Sequence, residues 1–205
     1  MQKQQQRLHR AYTTVIEMCI DRNYFISKEK QSPSPQHISE LFIQWQQNQG
    51  FFILLNHRTE NHHLLIYFKN EQKQIHKDDI KEFLVKMNKQ KIKRGIIVSN
   101  NSLSTICKKL LTTMKVDYGY FVEHFVVEDL LINITKHSLV PKHVKASEEE
   151  KKLVLKKYRA KVAQMPKILV GDPVARYLGL RRGDMVKIYR KSDTCGTHVF
   201  YRIAV

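Results

Sequence analysis

Residues 171–190, GDPVARYLGLRRGDMVKIYR, decide the fold of the C-terminal part of this chain. The carboxylate of Asp172 can accept hydrogen bonds from the free backbone N–H groups of a following helical turn. Pro173 suits the first helical position, where no N–H is needed, and Gly179 can end the helix in the left-handed conformation. The alternating run Met185–Tyr189 is typical of a strand. The stretch therefore predicts a short capped helix that leads into a strand.

The residues on either side of this stretch complete a small α+β domain. Ser147, followed three residues later by Glu150, forms a capping box that predicts a helix over Glu148–Ala163. Beyond a turn at Ser192–Gly196, Thr197–Val205 predicts the second strand of a terminal hairpin. The expected core of this domain is its regularly spaced apolar set: Leu153, Val154, Tyr158, Val162, Ile168, Val170, Val174, Leu178, Val186, Ile188, Val199 and Ile203.

Several segments of the chain resemble a known family. The longest lie in the C-terminal third: DPVARYLGLRRGD at 172–184, VKIYRKSDTCG at 186–196, YRIAV at 201–205 and, upstream, LVPKHVKASEEEKKLVLKKYRAKVAQMPKI at 139–168. Shorter segments are RLHRAYTTVIEMCIDRNYFIS at 7–27 and LLINITKH at 130–137. Together they resemble the fifth-subunit family of DNA-dependent RNA polymerases. This family comprises the small subunit shared by the eukaryotic nuclear enzymes and its shorter counterpart in the archaeal enzyme.

The resemblance implies a mixed α/β fold with two domains. Residues 1–137 would form a three-layer jaw domain similar in architecture to type II restriction endonucleases, and residues 138–205 a small α+β assembly domain. It also implies a non-catalytic subunit. The C-terminal domain would dock on the largest subunit, among neighbouring small subunits, and support assembly. The N-terminal domain would form part of the lower jaw, near downstream duplex DNA.

The middle of the chain departs from the family pattern. His57–Gln90 has little of the family's character, and the loop Asn100–Thr105 lacks the proline of the nuclear relatives. A divergent jaw domain beside a well-matched assembly domain is typical of a copy encoded by a large DNA virus. We expect an intracellular protein, located in the nucleus for a cellular subunit and in the cytoplasm or virion for a viral one.

Charged and polar residues around the opening stretch are candidates for docking on the largest subunit. Arg181 and Arg182 are the strongest, because paired arginines on a solvent-facing turn have no folding task there. Asp172 has an alternative role as a helix cap, and Tyr177 has one as a core residue. The docking set implied by the resemblance is Asp172, Arg176, Tyr177, Arg181, Arg182 and Lys191, with His143 and Arg202.

The formal charge of +17 suits nucleic acid or an acidic protein surface as a partner. It is densest over residues 138–205, which hold 16 Lys and Arg against 6 Asp and Glu. In the jaw domain we assign a DNA-proximal set on charge and loop position: Lys91, Lys93, Arg94, Asn101 and Ser102. A solvated helix end with cations near the negative dipole is the favoured alternative for the three basic residues. Any DNA contact would be electrostatic and independent of sequence.

Helices alternate with buried strands in the N-terminal part, which predicts an α/β layered domain. Its elements are expected at Arg7–Arg22 (helix), Pro35 to Gly50 (helix, capped by Ser34), Phe51–Leu55 and Leu64–Phe68 (strands), Asp78–Gln90 (helix), Gly95–Ser99 (strand), Thr105–Met114 (helix) and Tyr118–Phe125 (strand). Val127–Ile134 is expected to be helical.

The composition excludes several other classes of protein. No apolar run is long enough to span a membrane, and the Gln-rich N-terminus does not resemble a signal peptide. The three widely spaced cysteines predict free thiols. No phosphate-binding loop or nucleophile motif is present, so we expect no cofactor and no small-molecule substrate.

Two weaker chemical patterns remain. His57, His62 and His63 have no defined spacing to an acidic partner, so no metal site is expected. Glu71-Gln72-Lys73 spells the E-x-K string of restriction-type nucleases, but it follows a predicted strand instead of lying on it. A nuclease is therefore disfavoured, because metal-assisted hydrolysis needs carboxylates that converge on the ion. The alternatives kept open are a free-standing nucleic-acid-binding regulator and, less favoured, a nuclease.

Overall fold

The structure, a computed structural model, describes residues 2–31, 33–47, 50–70, 75–192 and 196–205. Glu71-Gln72-Lys73 and Cys195 lie outside this described part. The chain divides into two compact units, Met1–Ile132 and Asn133–Val205. The division falls a few residues before the boundary expected at His137. Asn133, the first residue of the second unit, donates from its side chain to the Tyr177 hydroxyl of the same unit.

A five-stranded mixed sheet forms the centre of the N-terminal unit. In chain order the elements are α1 (Gln2–Asp21), β1 (Tyr24–Phe25), α2 (Lys28–Gln31), α3 (Pro35–Gln46), β2 (Phe51–His57), β3 (His63–Lys69), α4 (Lys77–Lys89), β4 (Arg94–Ser99), α5 (Thr105–Tyr118), β5 (Phe121–Val126) and a 3-10 helix (Val127–Leu130). The strands lie in sequence order. The pairs β1–β2 and β2–β3 are antiparallel, whereas β3–β4 and β4–β5 are parallel.

Helices pack on both faces of this sheet. On one face, Phe83 and Met87 of α4 join Tyr67 and Ile97 in a buried apolar cluster. On the other face, the ring of Phe68 stacks on Phe51 at 4.7 Å and lies 6.2 Å from Tyr12 of α1. Successive side chains of a strand point to opposite faces, so Tyr67 and Phe68 supply one core each. The predicted mixed α/β, three-layer arrangement is confirmed.

The expected ends of the last elements in this unit were wrong. Helix α5 continues to Tyr118 and is closed by Gly119, whose φ is +68°. Strand β5 accordingly begins at Phe121. The segment expected to be helical over Val127–Ile134 forms only the short 3-10 helix. Among the described helices, none is both long and apolar enough to cross a membrane.

The C-terminal unit is a four-stranded sheet in the order β6–β8–β9–β7. Its elements are a 3-10 helix (Ile134–Lys136), β6 (Lys142–Lys145), α6 (Glu148–Tyr158), a second 3-10 helix (Val162–Gln164), β7 (Lys167–Ile168), α7 (Pro173–Tyr177), β8 (Met185–Ser192) and β9 (Gly196–Ala204). The long hairpin β8–β9 is antiparallel, as is the pair β6–β8, and the short β7 runs parallel to β9.

This sheet also buries apolar side chains on both faces. On the face covered by α7, Val186 and Ile188 pack with Ala175 and Leu180. On the face covered by α6, Met185 packs with Val154 and Met165. We call these the α7 face and the α6 face. Because strand side chains alternate, the position of a residue along β8 or β9 tells which face it belongs to.

Part of the predicted core of this unit is wrong. Leu153, Tyr158 and Val162 are 68%, 54% and 41% exposed, whereas Val154 is buried. Helix α6 ends at Tyr158, with Arg159 in the left-handed conformation at φ +47°, so the expected helical turns up to Ala163 do not form. Helix α6 is therefore short and packs on the sheet through only a narrow stripe of side chains. Its other apolar residues face solvent.

The start of α6 is capped by Ser147, whose hydroxyl accepts from the Glu150 N–H at 3.1 Å. This is one half of the predicted capping box; the return bond from the Ser147 N–H to the Glu150 side chain does not form. The Glu150 carboxylate itself accepts from Lys187 of β8. This hydrogen bond raises the pKa of Lys187. Glu150 thus ties the first turn of α6 to the sheet.

Candidate functional site

Helix α7 and the residue that caps it hold three of the predicted docking residues. The Asp172 carboxylate accepts from the backbone N–H groups of Val174 at 2.9 Å and Ala175 at 3.4 Å, which confirms its role as a helix cap. Tyr177 is 5% exposed, and its hydroxyl accepts from Asn133 at 3.1 Å. Arg176 is half-buried. Asp172 and Tyr177 therefore have structural tasks, as the alternative interpretation of the sequence held.

The turn that follows α7 is fastened to the end of β9 through its backbone. The Gly183 N–H donates to the Ala204 carbonyl at 2.9 Å, and the Ala204 N–H donates to the Asp184 carbonyl at 2.8 Å. The Asp184 carboxylate also accepts from the Arg181 N–H at 2.8 Å. Arg182 is exposed, as expected, whereas Arg181 is half-buried and makes a further contact, so the expected solvent-facing position was wrong for Arg181. Backbone hydrogen bonds therefore fix the turn that carries the two guanidinium groups.

The sheet adds two predicted docking residues to the α7 face. Arg202 lies opposite Val186, and His143 lies opposite Ile188, so both share the face on which α7 packs. Arg202 is exposed. The His143 ring is half-buried, with Nδ1 2.6 Å from the Pro141 carbonyl oxygen.

Lys191 lies apart from the rest of the docking set. It is opposite Thr197, near the tip of the hairpin, and its position in β8 places it on the α6 face. It lies five positions along the strand from Val186, which corresponds to about 17 Å. The structure therefore groups the other predicted docking residues around α7 and places Lys191 elsewhere. All of these roles in docking stay predictions.

The predicted DNA-proximal set is split between the two ends of β4. Lys91, Lys93 and Arg94 lie at its start, whereas Asn101 and Ser102 follow its end, about 20 Å away along the strand. Lys91 and Lys93 are exposed, and Lys91 has a φ of +57°. The Arg94 guanidinium lies 3.5 Å from the Glu60 carboxylate, which partly neutralises it. These residues therefore form two separate surfaces.

A polar network that the sequence analysis missed supports the loop of Asn101 and Ser102. The Ser99 hydroxyl donates to the Asn101 carbonyl at 2.7 Å and lies 2.7 Å from Nε2 of His124. Asn100, which directly follows Ser99, donates from its side-chain amide to the side-chain oxygen of Asn70 at 2.7 Å. This network lies at the carboxyl ends of the parallel strands, where α/β sheets commonly bind ligands.

Lys69 is the least expected residue at this edge of the sheet. It is buried at the end of β3 and forms an ion pair with Asp79 in the first turn of α4. A lysine directly after the apolar run Leu64–Phe68 was the signal that could have found it. Because the Asp79 carboxylate is already engaged by a cation, it is poorly suited to hold a catalytic metal ion.

The turn between β2 and β3 brings together two of the three suspected histidines. Side-chain donor atoms of His57, Glu60 and His62 lie within 4.8 Å of one another. The rings of His57 and His62, however, stack at 4.4 Å and 25°, so their in-plane lone pairs do not converge on one point. Nδ1 of His57 accepts from the Glu60 N–H at 3.0 Å, and Nε2 of His62 lies 3.0 Å from the Tyr24 hydroxyl.

The third histidine has a different neighbour. His63 lies with Nδ1 2.7 Å from the Asn56 side-chain oxygen. The arrangement of the three histidines is that of a hydrogen-bonded turn, and the absence of a metal site stays a prediction.

Comparison with known proteins decides the family. The profile of RNA polymerase Rpb5, C-terminal domain, matches residues 132–204, and that of RNA polymerase Rpb5, N-terminal domain, matches residues 2–87. The chain belongs to the Rpb5 family. The suspected membership of the fifth-subunit family is thereby confirmed. Neither Rpb5 profile covers residues 88–131. The N-terminal profile does cover residues 57–87, so the family match continues through most of His57–Gln90, and the expected departure from the family in that segment was wrong there.

Curated relatives match over nearly the whole length. The DNA-directed RNA polymerases I, II, and III subunit RPABC1 of Caenorhabditis briggsae is 36% identical, and that of Caenorhabditis elegans is 35% identical. In both comparisons the match covers 97% of this chain and 96% of the relative. The corresponding subunit of Dictyostelium discoideum is 33% identical over 97% of this chain and 98% of its own.

Proposed function

We propose that this Rpb5 family member is a non-catalytic subunit of a multisubunit DNA-dependent RNA polymerase. Its C-terminal unit docks on the largest subunit, among neighbouring small subunits, and supports assembly. The observation that carries this proposal is the turn Arg181–Asp184, which is fixed by backbone hydrogen bonds to Ala204 within the unit that matches the family profile. The turn presents two arginines on a backbone that is already held in place. Docking then costs little conformational entropy of the backbone, which favours binding.

The N-terminal unit forms part of the lower jaw and lies near downstream duplex DNA. The net charge of +17 supports an electrostatic contact with phosphates. Lys91 and Lys93 at one end of β4, and the loop of Asn101 and Ser102 at the other, are the two surfaces available for it. No base-reading motif accompanies them, so the contact is independent of sequence.

Co-purification tests the assignment. The tagged chain, expressed in its native source, should be recovered in equal amounts with two very large polypeptides. Arg181→Glu combined with Arg182→Glu should lower the recovery of the largest chain at least tenfold, since reversed charges repel the docking partner. The matched control is Lys152→Glu with Lys156→Glu, which makes the same change of charge on the exposed side of α6 and should bind normally.

The alternatives give different results in the same experiment. A free-standing nucleic-acid-binding regulator would be recovered without the two very large chains. A nuclease would cut DNA in the presence of a divalent metal ion. The nuclease is disfavoured because Asp79, in the first turn of α4, is already paired with Lys69 at the end of β3. Viral origin stays a prediction, and with it the choice between nucleus and cytoplasm or virion.

A further inference from the structure

Strand β9 has an open edge along most of its length. On one side β8 pairs with it continuously, from Gly196 to Ile203. On the other side β7 pairs only with Ile203 and Ala204. In the described part of the chain, no strand lies beside the remaining residues of that outer edge.

Backbone hydrogen bonds identify which groups point outward. The Ile203 N–H donates to Pro166 and the Val205 N–H to Ile168, both on the outer side. The Ala204 N–H donates to Asp184, on the side of β8. Because the direction of backbone groups alternates along a strand, Thr197, Val199 and Tyr201 also direct their N–H and C=O groups outward. These groups have no partner strand among the described residues.

The sequence of this edge favours strand pairing. Residues 197–202, THVFYR, are rich in β-branched and aromatic residues and contain no proline. The register with β8 is unbroken, so no bulge turns the edge away. Phe200 is 43% exposed. Proteins usually block such an edge with proline, a bulge or charges, because an open one pairs with other chains. A long uncovered edge of this kind therefore indicates a surface that is covered in an assembly.

The basic residues around the open edge indicate the charge of the partner. Arg190 lies opposite His198 near the tip of the hairpin, and Arg202 lies at its base. Lys167 of β7 is exposed at the same edge. Asp184, near the base, is already 2.8 Å from the ammonium group of Lys145. A second copy of this chain would bring like charges together, which disfavours edge-to-edge pairing of two copies.

We propose that the open edge of β9 receives an extended, acidic segment of a partner polypeptide as an additional strand. Main-chain hydrogen bonds to Thr197, Val199 and Tyr201 provide the affinity, as in other cases of strand addition. On the α7 face, acidic side chains of the segment pair with Arg190 and Arg202, and an apolar one covers Phe200. The proposal rests on the proposed function only in taking the partner to be another polymerase subunit.

Val199→Pro tests the main-chain contact. It removes an outward N–H that no described residue uses, and proline is tolerated where the N–H faces solvent. Recovery of the two very large chains should fall at least tenfold. Val199→Ala, which keeps the N–H and loses side-chain atoms, is the matched control and should retain most of the binding. If both variants lose binding equally, the contact is made by the side chain and strand addition is overturned.

Arg190→Glu tests the charge of the segment and should lower recovery severalfold. Unchanged or increased recovery would exclude an acidic segment. The outcomes also separate the two proposals. If the unaltered chain fails to recover the large chains, the proposed function fails. If it recovers them and Val199→Pro does so equally well, only the edge proposal fails.

If the proline variant does not fold, amide hydrogen exchange of the unaltered chain tests whether the edge is open. In the free, unaltered chain, the amides of Thr197, Val199 and Tyr201 should exchange rapidly, whereas those of His198, Phe200 and Arg202 should be protected by β8. NMR measures each amide separately. Protection of all of them in the free chain would mean that the edge is already covered, and the proposal would be wrong.

Discussion

Arg22 is a buried charge that joins two distant parts of the N-terminal unit. Its guanidinium group donates to both carboxylate oxygens of Glu123, at 2.5 Å and 3.1 Å, and its side chain is 8% exposed. A buried cation is tolerated only when its partner and geometry offset the loss of hydration, as in this bidentate pair. Next to it, Cys19 is fully buried, and desolvation raises the pKa of its thiol to about 12.

Cys19 should make the stability of the protein fall in alkaline solution. Its ordinary pKa is 9.0, so above about pH 9 the unfolded thiol loses its proton while the folded one keeps it. The free energy of unfolding should then fall by about 1.4 kcal/mol per pH unit, up to the folded pKa. Below pH 9 this contribution is fully present.

Urea unfolding at pH 8 and pH 10 measures this effect. Cys19→Ala lowers stability at both pH values by leaving a small cavity, but it removes the alkaline loss that belongs to the thiol. The unaltered chain should therefore lose about 1.4 kcal/mol more than the variant between the two pH values. Parallel losses would show that the thiol ionises equally easily in both states.

Predictability at this scale depends on the distance between partners in the sequence. The caps at Ser34, Ser147 and Asp172 were predicted, because each accepts from an N–H two or three residues away. The pair Arg22–Glu123 was not, since 101 residues separate its members. For the same reason the sequence placed Arg181 and Arg182, the two arginines predicted to dock, on a turn correctly. Only the register of β8 and β9 separated Lys191 from them.

Strand β4 and helix α4 approach each other closely at Gly95. A Cβ atom on this residue would lie 2.8 Å from the Phe83 ring and 3.0 Å from the Met87 sulfur. Only glycine fits at this position without a steric clash. Its contact with Phe83 and Met87 sets the distance between α4 and the sheet.

Gly95→Ala should destabilise the protein by about 1–3 kcal/mol, because the added methyl group overpacks the core. Gly171→Ala is the control, since a Cβ there meets no atom within 4 Å. Its effect on the free energy of unfolding should stay within about 0.5 kcal/mol. Combining Gly95→Ala with Phe83→Leu should recover part of the loss if the ring is the obstacle. Equal stability of the two alanine variants would exclude the close approach.

The end of a helix or strand was predictable only where its last residues still place apolar side chains in the core. The last turn of α5 carries Val116 and Tyr118, which are 76% and 61% exposed, so no apolar period marked it. In α6 the opposite happened: Leu153 and Tyr158 kept a helical spacing although both are largely exposed. A sequence pattern shows which residues are apolar, but not how wide a stripe the partner sheet can bury.

The net charge of +17 belongs to the whole molecule and should produce weak, sequence-independent binding of duplex DNA. Fluorescence anisotropy with two unrelated duplexes should give similar affinities, and both should fall linearly on a log–log plot against salt. Lys91→Glu with Lys93→Glu should make the slope smaller by about 2 if both residues contact phosphates. Asn101→Ala with Ser102→Ala leaves the charge unchanged and should not alter the slope. A preferred sequence that survives high salt would contradict electrostatic binding.

The division of the chain at Ile132 predicts how a fragment should be cut. A fragment of residues 133–205 should fold alone, because about 70 residues can form a marginal independent core. The fragment expected from the sequence, 138–205, lacks Asn133, whose side chain accepts from the Thr135 N–H and donates to Tyr177. It should be less stable by about 1 kcal/mol, since the hydrogen bond from Asn133 to the Tyr177 hydroxyl is lost. Asn133→Ala in the longer fragment should reproduce that loss.

NMR and urea unfolding of both fragments test this division, together with a binding assay on the largest subunit. Dispersed amide signals for 133–205, with most of the affinity of the full chain, would place both the fold and the docking contact in this unit. A collapsed spectrum for 133–205 would mean that its core needs residues before Asn133. A folded fragment that fails to dock would move the main contact to the N-terminal unit, because the rigid turn at Arg181 and Arg182 would then be intact and still insufficient.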